Sequence, residues 1–110
     1  MVAQSIIEAV QNYIRVLLDD GLPVDFAVLY GSYVRGEATE WSDIDVMVVS
    51  PLFEPPKCRE DINRLWHATL RADERIEPIG VGSRQWQEDD GIPLIEIVRR
   101  EGQIIHASLT

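Results

Sequence analysis

Apolar residues recur at Ile6, Ile7, Val10, Tyr13, Ile14, Leu17 and Leu18, a spacing near 3.6 that predicts a helix over residues 3–20. Gly21 is placed to cap it, and Pro23 stops the chain from continuing helically. The pattern then shortens. DFAVLY, residues 25–30, reads as a short, largely buried strand. Gly31-Ser32 breaks it, residues 32–36 suit a short helical turn, and Glu37 to Trp41 form a polar loop. DIDVMVV, residues 43–49, reads as a second strand, followed by PLFEPP, a loop stiffened by Pro51, Pro55 and Pro56. A second long helix is expected over residues 57–73, with Cys58, Ile62, Leu65, Trp66 and Thr69 on its inner face. ERIEPIGV, residues 74–81, reads as a third strand. Ser83 is the expected cap of a short helix through Trp86 and Gln87, residues 92–101 form a final helix stopped by Gly102, and QIIH at 103–106 returns as an edge strand.

The order is helix, strand, strand, helix, strand, helix, strand. It predicts an α/β (α+β) fold, a small mixed sheet flanked by helices, in one domain spanning residues 1–110. With 45% hydrophobic residues the chain can build a core. Its formal net charge of -9 argues against a general nucleic-acid binder, which needs Lys and Arg to neutralise phosphates, and against an anionic membrane surface. The lone Cys58 excludes an intrachain disulfide and is expected in the core. The first residues show no signal peptide and no run reaches a membrane span, so a cytoplasmic location is expected.

Two carboxylates interrupt the second apolar run. On a strand, side chains at i and i+2 share a face, with Cα atoms about 6.6 Å apart. Asp43 and Asp45 therefore project together, away from Ile44, Val46 and Val48. Such a pair repels itself, and burial adds to the cost of both charges. A divalent cation removes both difficulties, and hard oxygen donors suit Mg²⁺ or Mn²⁺. Alone, Asp-x-Asp reads as an ordinary solvated sheet face. Upstream, Gly31-Ser32 follows a strand and precedes a helical turn. There glycine lets backbone N–H groups approach an anion, and the Ser32 hydroxyl adds a donor. A phosphate cradle on one strand and a carboxylate pair on the next make a two-part site.

GSYVRGEATEWSDIDVMV resembles the signature of the minimal nucleotidyltransferases of the DNA polymerase β superfamily, through Gly31, Ser32, Arg35, Gly36, Ser42, Asp43 and Asp45. The pattern G-S-x10-D-x-D is met without insertion. The resemblance implies two Mg²⁺ ions (or Mn²⁺) bound by three carboxylates: Asp43, Asp45 and a third from a neighbouring strand. Glu77, a lone acid in RIEPIGV, is the candidate, with Glu74 as its competitor. It implies that Gly31 and Ser32 grip the phosphates of ATP or another NTP, that Arg35 and Ser42 support nucleotide binding, and that a hydroxyl attacks the α-phosphate. Arg35 is equally suited to pair with Glu37.

Larger relatives carry a second domain for the acceptor, and nothing in this chain corresponds to it. The acceptor is then expected on a partner or in a cleft formed by self-association. Stand-alone relatives pair with a helical HEPN-domain toxin and act as antitoxin, which makes AMP transfer to such a protein the leading expectation. Modification of a small molecule such as an aminoglycoside, and a binding module that occludes its partner without turnover, are the alternatives. Of the remaining residues, His67 reads as a partly exposed helix residue and the Arg100/His106 spacing as coincidence. Trp41 and Trp86 are suited to border the nucleotide pocket or to pack, with packing the expected use, and Glu88-Asp89-Asp90 is expected to form a solvated acidic turn.

Overall fold

Helix α1, Gln4–Asp19, ends where the chain demands it. Gly21 takes φ 84° and lies just past the cap residue Asp20. Its N–H donates to Leu18 O at 2.9 Å and the Leu22 N–H to Leu17 O at 3.0 Å, the paired bonds of a Schellman motif. Leu17 and Leu22 are both buried, so the cap is closed by an apolar contact. The computed structural model describes residues 2–88 and 91–107. Beyond α1 come β1 (Phe26–Tyr30), α2 (Ser32–Arg35), β2 (Ile44–Val49), a 3-10 turn at Pro51–Phe53, α3 (Arg59–Thr69), β3 (Ile76–Val81), α4 (Ser83–Glu88), α5 (Pro93–Glu101) and β4 (Gln103–Ile105). The expected mixed sheet flanked by helices is present.

The sheet order is β3-β2-β1-β4. β1 is antiparallel to both β2 and β4, and β2 is parallel to β3. On one face Ala27, Leu29, Ile44, Val46, Val48, Ile76 and Ile105 pack with the inner stripes of α1 and α3. The Tyr13 hydroxyl donates to Leu65 O at 2.7 Å and ties the two helices together. On the other face Val28, Met47, Val49 and Val81 pack with Trp86 of α4 and with Ile95 and Val98 of α5. The β1–β2–β3 row containing Asp45 belongs to this second face. No helix among the described residues is long and apolar enough to cross a membrane.

The free edge of β3 is blunted. Carbonyls of Arg75 and Val81 accept from Ile44 and Ser50 of the β2 side, so the Gly80 carbonyl points away from the sheet. Lys57 Nζ donates to that carbonyl at 2.5 Å, and Pro78 brings no N–H to the edge. Phe53, fully buried, lies against Gly80: a Cβ there would sit 2.6 Å from its ring atoms. Gly80→Ala is therefore expected to cost about 1–3 kcal/mol by overpacking, read as an earlier midpoint in urea unfolding.

Several local expectations need correcting. Helix α3 begins at Arg59, and Cys58 is its exposed cap residue instead of a core side chain. Trp66 is 47% exposed, and Ala68 takes the inward position beside Leu65 and Thr69. Leu18 faces solvent. Ser83 does not cap α4. Glu54, from the proline loop, does so by accepting from the Arg84 and Gln85 N–H groups at 2.7 and 3.1 Å, while the Ser83 hydroxyl donates to Asp25. Trp86 packs as expected, edge-on to Phe26 with ring centroids 5.9 Å apart, but Trp41 is 86% exposed. His67 is exposed, as expected, and His106 is exposed as well. Glu88 pairs with Arg84, and the Asp89-Asp90 part of the acidic turn lies outside the described residues.

Candidate active site

Cross-strand register assembles the site. Tyr30 of β1 pairs with Asp45 of β2, and Asp45 pairs with Glu77 of β3. Paired residues point to the same side, so these three side chains form one row across the sheet. The row lies on the face of α4 and α5. Asp43 precedes β2 by one residue and is exposed. Its carboxylate nevertheless acts on that of Glu77, raising it above its ordinary value. Glu77 is thus the acid brought to the Asp43–Asp45 pair, whereas Glu74 lies in the turn before β3.

The electrostatics show what the grouping costs. Loss of water raises the Asp45 carboxyl above its ordinary value, the Asp43 charge raises it further, and Arg35 pulls the other way. Loss of water also raises Glu77, followed by the Asp43 charge, its hydrogen bond and then the Asp45 charge. Burial, with the Asp45 and Glu77 charges behind it, pushes the Tyr30 phenol up to about 12. In all three, lost water leads and neighbouring negative charge adds to it.

Gly31 sets the shape of the cradle. It adopts φ 80° and ψ -147°, a region essentially reserved for glycine, and turns the chain from β1 into α2. Its carbonyl accepts from the Val34 and Arg35 N–H groups, both at 3.1 Å. A Cβ on Gly31 would overlap Oδ2 of Asp45, so the glycine backbone and the carboxylate are in direct apposition. Ser32 follows as the first, half-buried residue of α2.

Arg35 pairs with Glu37 at 3.5 Å, the structural partner considered for it. Ser42 is occupied in holding its loop: its hydroxyl accepts from the Thr39 N–H at 2.9 Å, and its own N–H donates to Thr39 O at 3.1 Å. Among the described residues, no three His, Cys, Asp or Glu side chains stand close enough to ligate one ion as they are arranged.

The sequence model of the nucleotidyltransferase domain matches residues 10–104, most of the chain. The chain belongs to this nucleotidyltransferase family. No curated protein sequence matches it. Two solved structures share the nucleotidyltransferase fold seen here. A Sulfolobus solfataricus protein assigned as a nucleotidyltransferase superposes with a TM-score of 0.66 at 10% identity, over 96% of this chain and 88% of that one. A toxin–antitoxin structure containing AMP-PNP superposes with a TM-score of 0.54 at 22% identity, over 90% of this chain and 74% of that one.

Tyr30 also belongs to the site, though the sequence pattern gives no sign of it: it reads as part of an apolar strand and directly precedes Gly31. Only the antiparallel register opposite Asp45 brings its phenol into the acidic row.

Proposed function

We propose that this domain transfers a nucleoside monophosphate, AMP from ATP, to a hydroxyl on a protein partner, a HEPN-domain toxin, and so acts as its antitoxin. The observation that carries the reading is the row of Asp45 and Glu77, with Asp43 in reach, set against the Gly31 backbone. An all-oxygen, mutually repelling donor set, with Asp45 and Glu77 raised above their ordinary values, suits hard divalent cations, which makes Asp43, Asp45 and Glu77 the ligands for two Mg²⁺ or Mn²⁺ ions. When bound, the cations neutralise phosphate charge and lower the pKa of the acceptor hydroxyl.

This chain's own residues do the rest. Gly31 and Ser32 hold the β- and γ-phosphates, with Arg35 as a supporting cation and Ser42 fixing the loop that carries Asp43. Held by these contacts, the triphosphate presents its α-phosphorus to the acceptor. The acceptor oxygen bonds to that phosphorus, the bond to the β-phosphate oxygen breaks, and pyrophosphate leaves. The acceptor's proton passes to a Glu77 carboxylate oxygen. Docking of a partner aligns the acceptor with the triphosphate, a large part of such a rate. The toxin–antitoxin neighbour supports a protein partner, and the acidity of the chain disfavours a polynucleotide one.

Glu77→Gln is expected to lower turnover at least about tenfold, roughly 1.4 kcal/mol in barrier, with folding unchanged. Unchanged turnover would remove Glu77 from the site and promote Glu74. The acceptor is tested by incubating the domain, Mg²⁺ and ATP labelled in the α-phosphate with its genomic neighbour, with total tRNA and with aminoglycosides. Label on protein is expected. Label on RNA or drug alone would overturn the choice of acceptor, and a tight complex without label would favour occlusion.

A further inference from the structure

Trp41 has a setting that neither packing nor the phosphate site accounts for. It is 86% exposed, two residues ahead of Asp43. An indole left in water forfeits the burial that usually places it in a core or an interface. Its loop is built to keep it there. The Trp41 N–H donates to the Thr39 hydroxyl at 3.2 Å, Ser42 and Thr39 are joined by two further bonds at 2.9 and 3.1 Å, and the Tyr33 hydroxyl donates to Thr39 O at 3.4 Å. The backbone around Trp41 is therefore fixed on both sides.

Its surroundings in the chain are acidic. Glu40 is exposed immediately before it, and Asp43 is exposed just after. An exposed indole next in the chain to an exposed acid, Glu40, is suited to a guanidinium or ammonium group: the ring quadrupole attracts the cation and a carboxylate compensates its charge.

We infer that Trp41, with Glu40, forms a docking point for an arginine or lysine side chain of the acceptor protein, lying close in its sequence to the hydroxyl that is modified. This rests on the reading of the acceptor as a protein. Trp41 then selects which hydroxyl is presented, which separates it from the residues that hold phosphate. Trp is also among the residue types that most often anchor an interface.

The experiment uses the whole chain with short tyrosine peptides carrying arginine, glycine or glutamate two residues from the tyrosine, and follows both transfer of α-phosphate label and peptide binding by calorimetry. The arginine peptide should bind at least tenfold more tightly than the glycine peptide and be the better acceptor. Trp41→Ala should reduce the binding preference to within twofold with the Kd for ATP·Mg²⁺ unchanged, Trp41→Phe should retain part of it, and Glu40→Gln should weaken it. Equal binding of arginine and glycine peptides by the parent, or a preference that survives Trp41→Ala, overturns the inference. So does a tenfold loss of ATP affinity in Trp41→Ala with the peptide preference intact, which would make Trp41 a base platform. If ATP·Mg²⁺ does not bind the parent at all, nucleotidyl transfer fails, while the binding preference still decides the role of Trp41.

Discussion

Replacing both Asp43 and Asp45 with Asn is expected to abolish Mg²⁺-dependent ATP binding and to cut nucleotidyl transfer by at least about 1,000-fold, while the protein stays folded. Two-metal sites stabilise charge on both the attacking and leaving oxygens, and losing the ligands forfeits several kcal/mol of barrier at about 1.4 kcal/mol per tenfold. The fold survives because neither carboxylate holds it together. Asp45 sits in a row with Glu77, raised in pKa by lost water and then by Asp43. A raised carboxyl means that the folded state holds its proton more tightly than the unfolded chain does. Its contribution to stability is complete below the ordinary aspartate value of 3.8 and is lost as pH climbs through the higher folded value.

The parent without metal should therefore lose stability relative to the double mutant as pH rises from the acid range towards neutrality. Asp73, lowered by its bond to Arg75, works in the opposite sense but is common to both proteins and cancels in the difference. Thermal unfolding of the two proteins across this pH range in EDTA checks the sign. A double mutant that unfolds earlier than the parent at pH 7, or binds ATP·Mg²⁺ as the parent does, would contradict the account.

Gly31→Ala should be nearly as damaging to activity by another route. The backbone at φ 80° and ψ -147° is closed to a residue with a Cβ, at a cost of about 1–3 kcal/mol. The new methyl would also overlap Asp45 Oδ2, so folding requires the carboxylate to leave its place in the row. A displacement near 1 Å in such a site costs on the order of 100-fold in rate. Gly21→Ala is the matched control. Its φ is also positive, at 84°, but a Cβ there meets nothing within 4 Å. It should lose stability at the α1 cap and keep its activity, so turnover of the two folded variants at saturating ATP separates backbone strain from damage to the site.

Much of this architecture was legible in the order of residues, because hydrophobic period and turn chemistry are local. The α1 stripe, the Gly21 cap, the break at Gly31 and the stop at Gly102 each depend on a few neighbouring residues, and every element but α3 lies within about two residues of its expected place; α3 ends at Thr69, short of the expected residue 73. What failed was decided by partners distant in sequence. Cys58 and Trp66 were assigned inward on spacing, but the inner face of α3 is set by how it meets α1 and β3. The cap of α4 comes from Glu54, some thirty positions upstream, which no helix-start signal at Ser83 could reveal.

The candidate site divides the same way. Gly31, Ser32, Asp43 and Asp45 lie on one motif and could be read together, and Glu77 could be nominated as a lone acid in an apolar strand. Its place beside Asp45 rather than Glu74's follows only from the parallel pairing of β2 with β3. Tyr30 enters the row through the antiparallel pairing of β1 with β2. Trp41 was expected to pack like most tryptophans, and its exposure comes from a loop held by Thr39 and Ser42 hydrogen bonds.

Nucleotidyl transfer itself is tested most directly by following two labels at once. The domain is incubated with Mg²⁺, an acceptor mixture containing its genomic neighbour, and ATP labelled in either the α- or the γ-phosphate. The account predicts that α-label becomes bound to the acceptor while γ-label is released as pyrophosphate in equal amount, and that both stop on adding EDTA or in the Asp43→Asn/Asp45→Asn protein. Transfer of γ-label to the acceptor, or release of γ-label as orthophosphate with none of the α-label transferred, would contradict it.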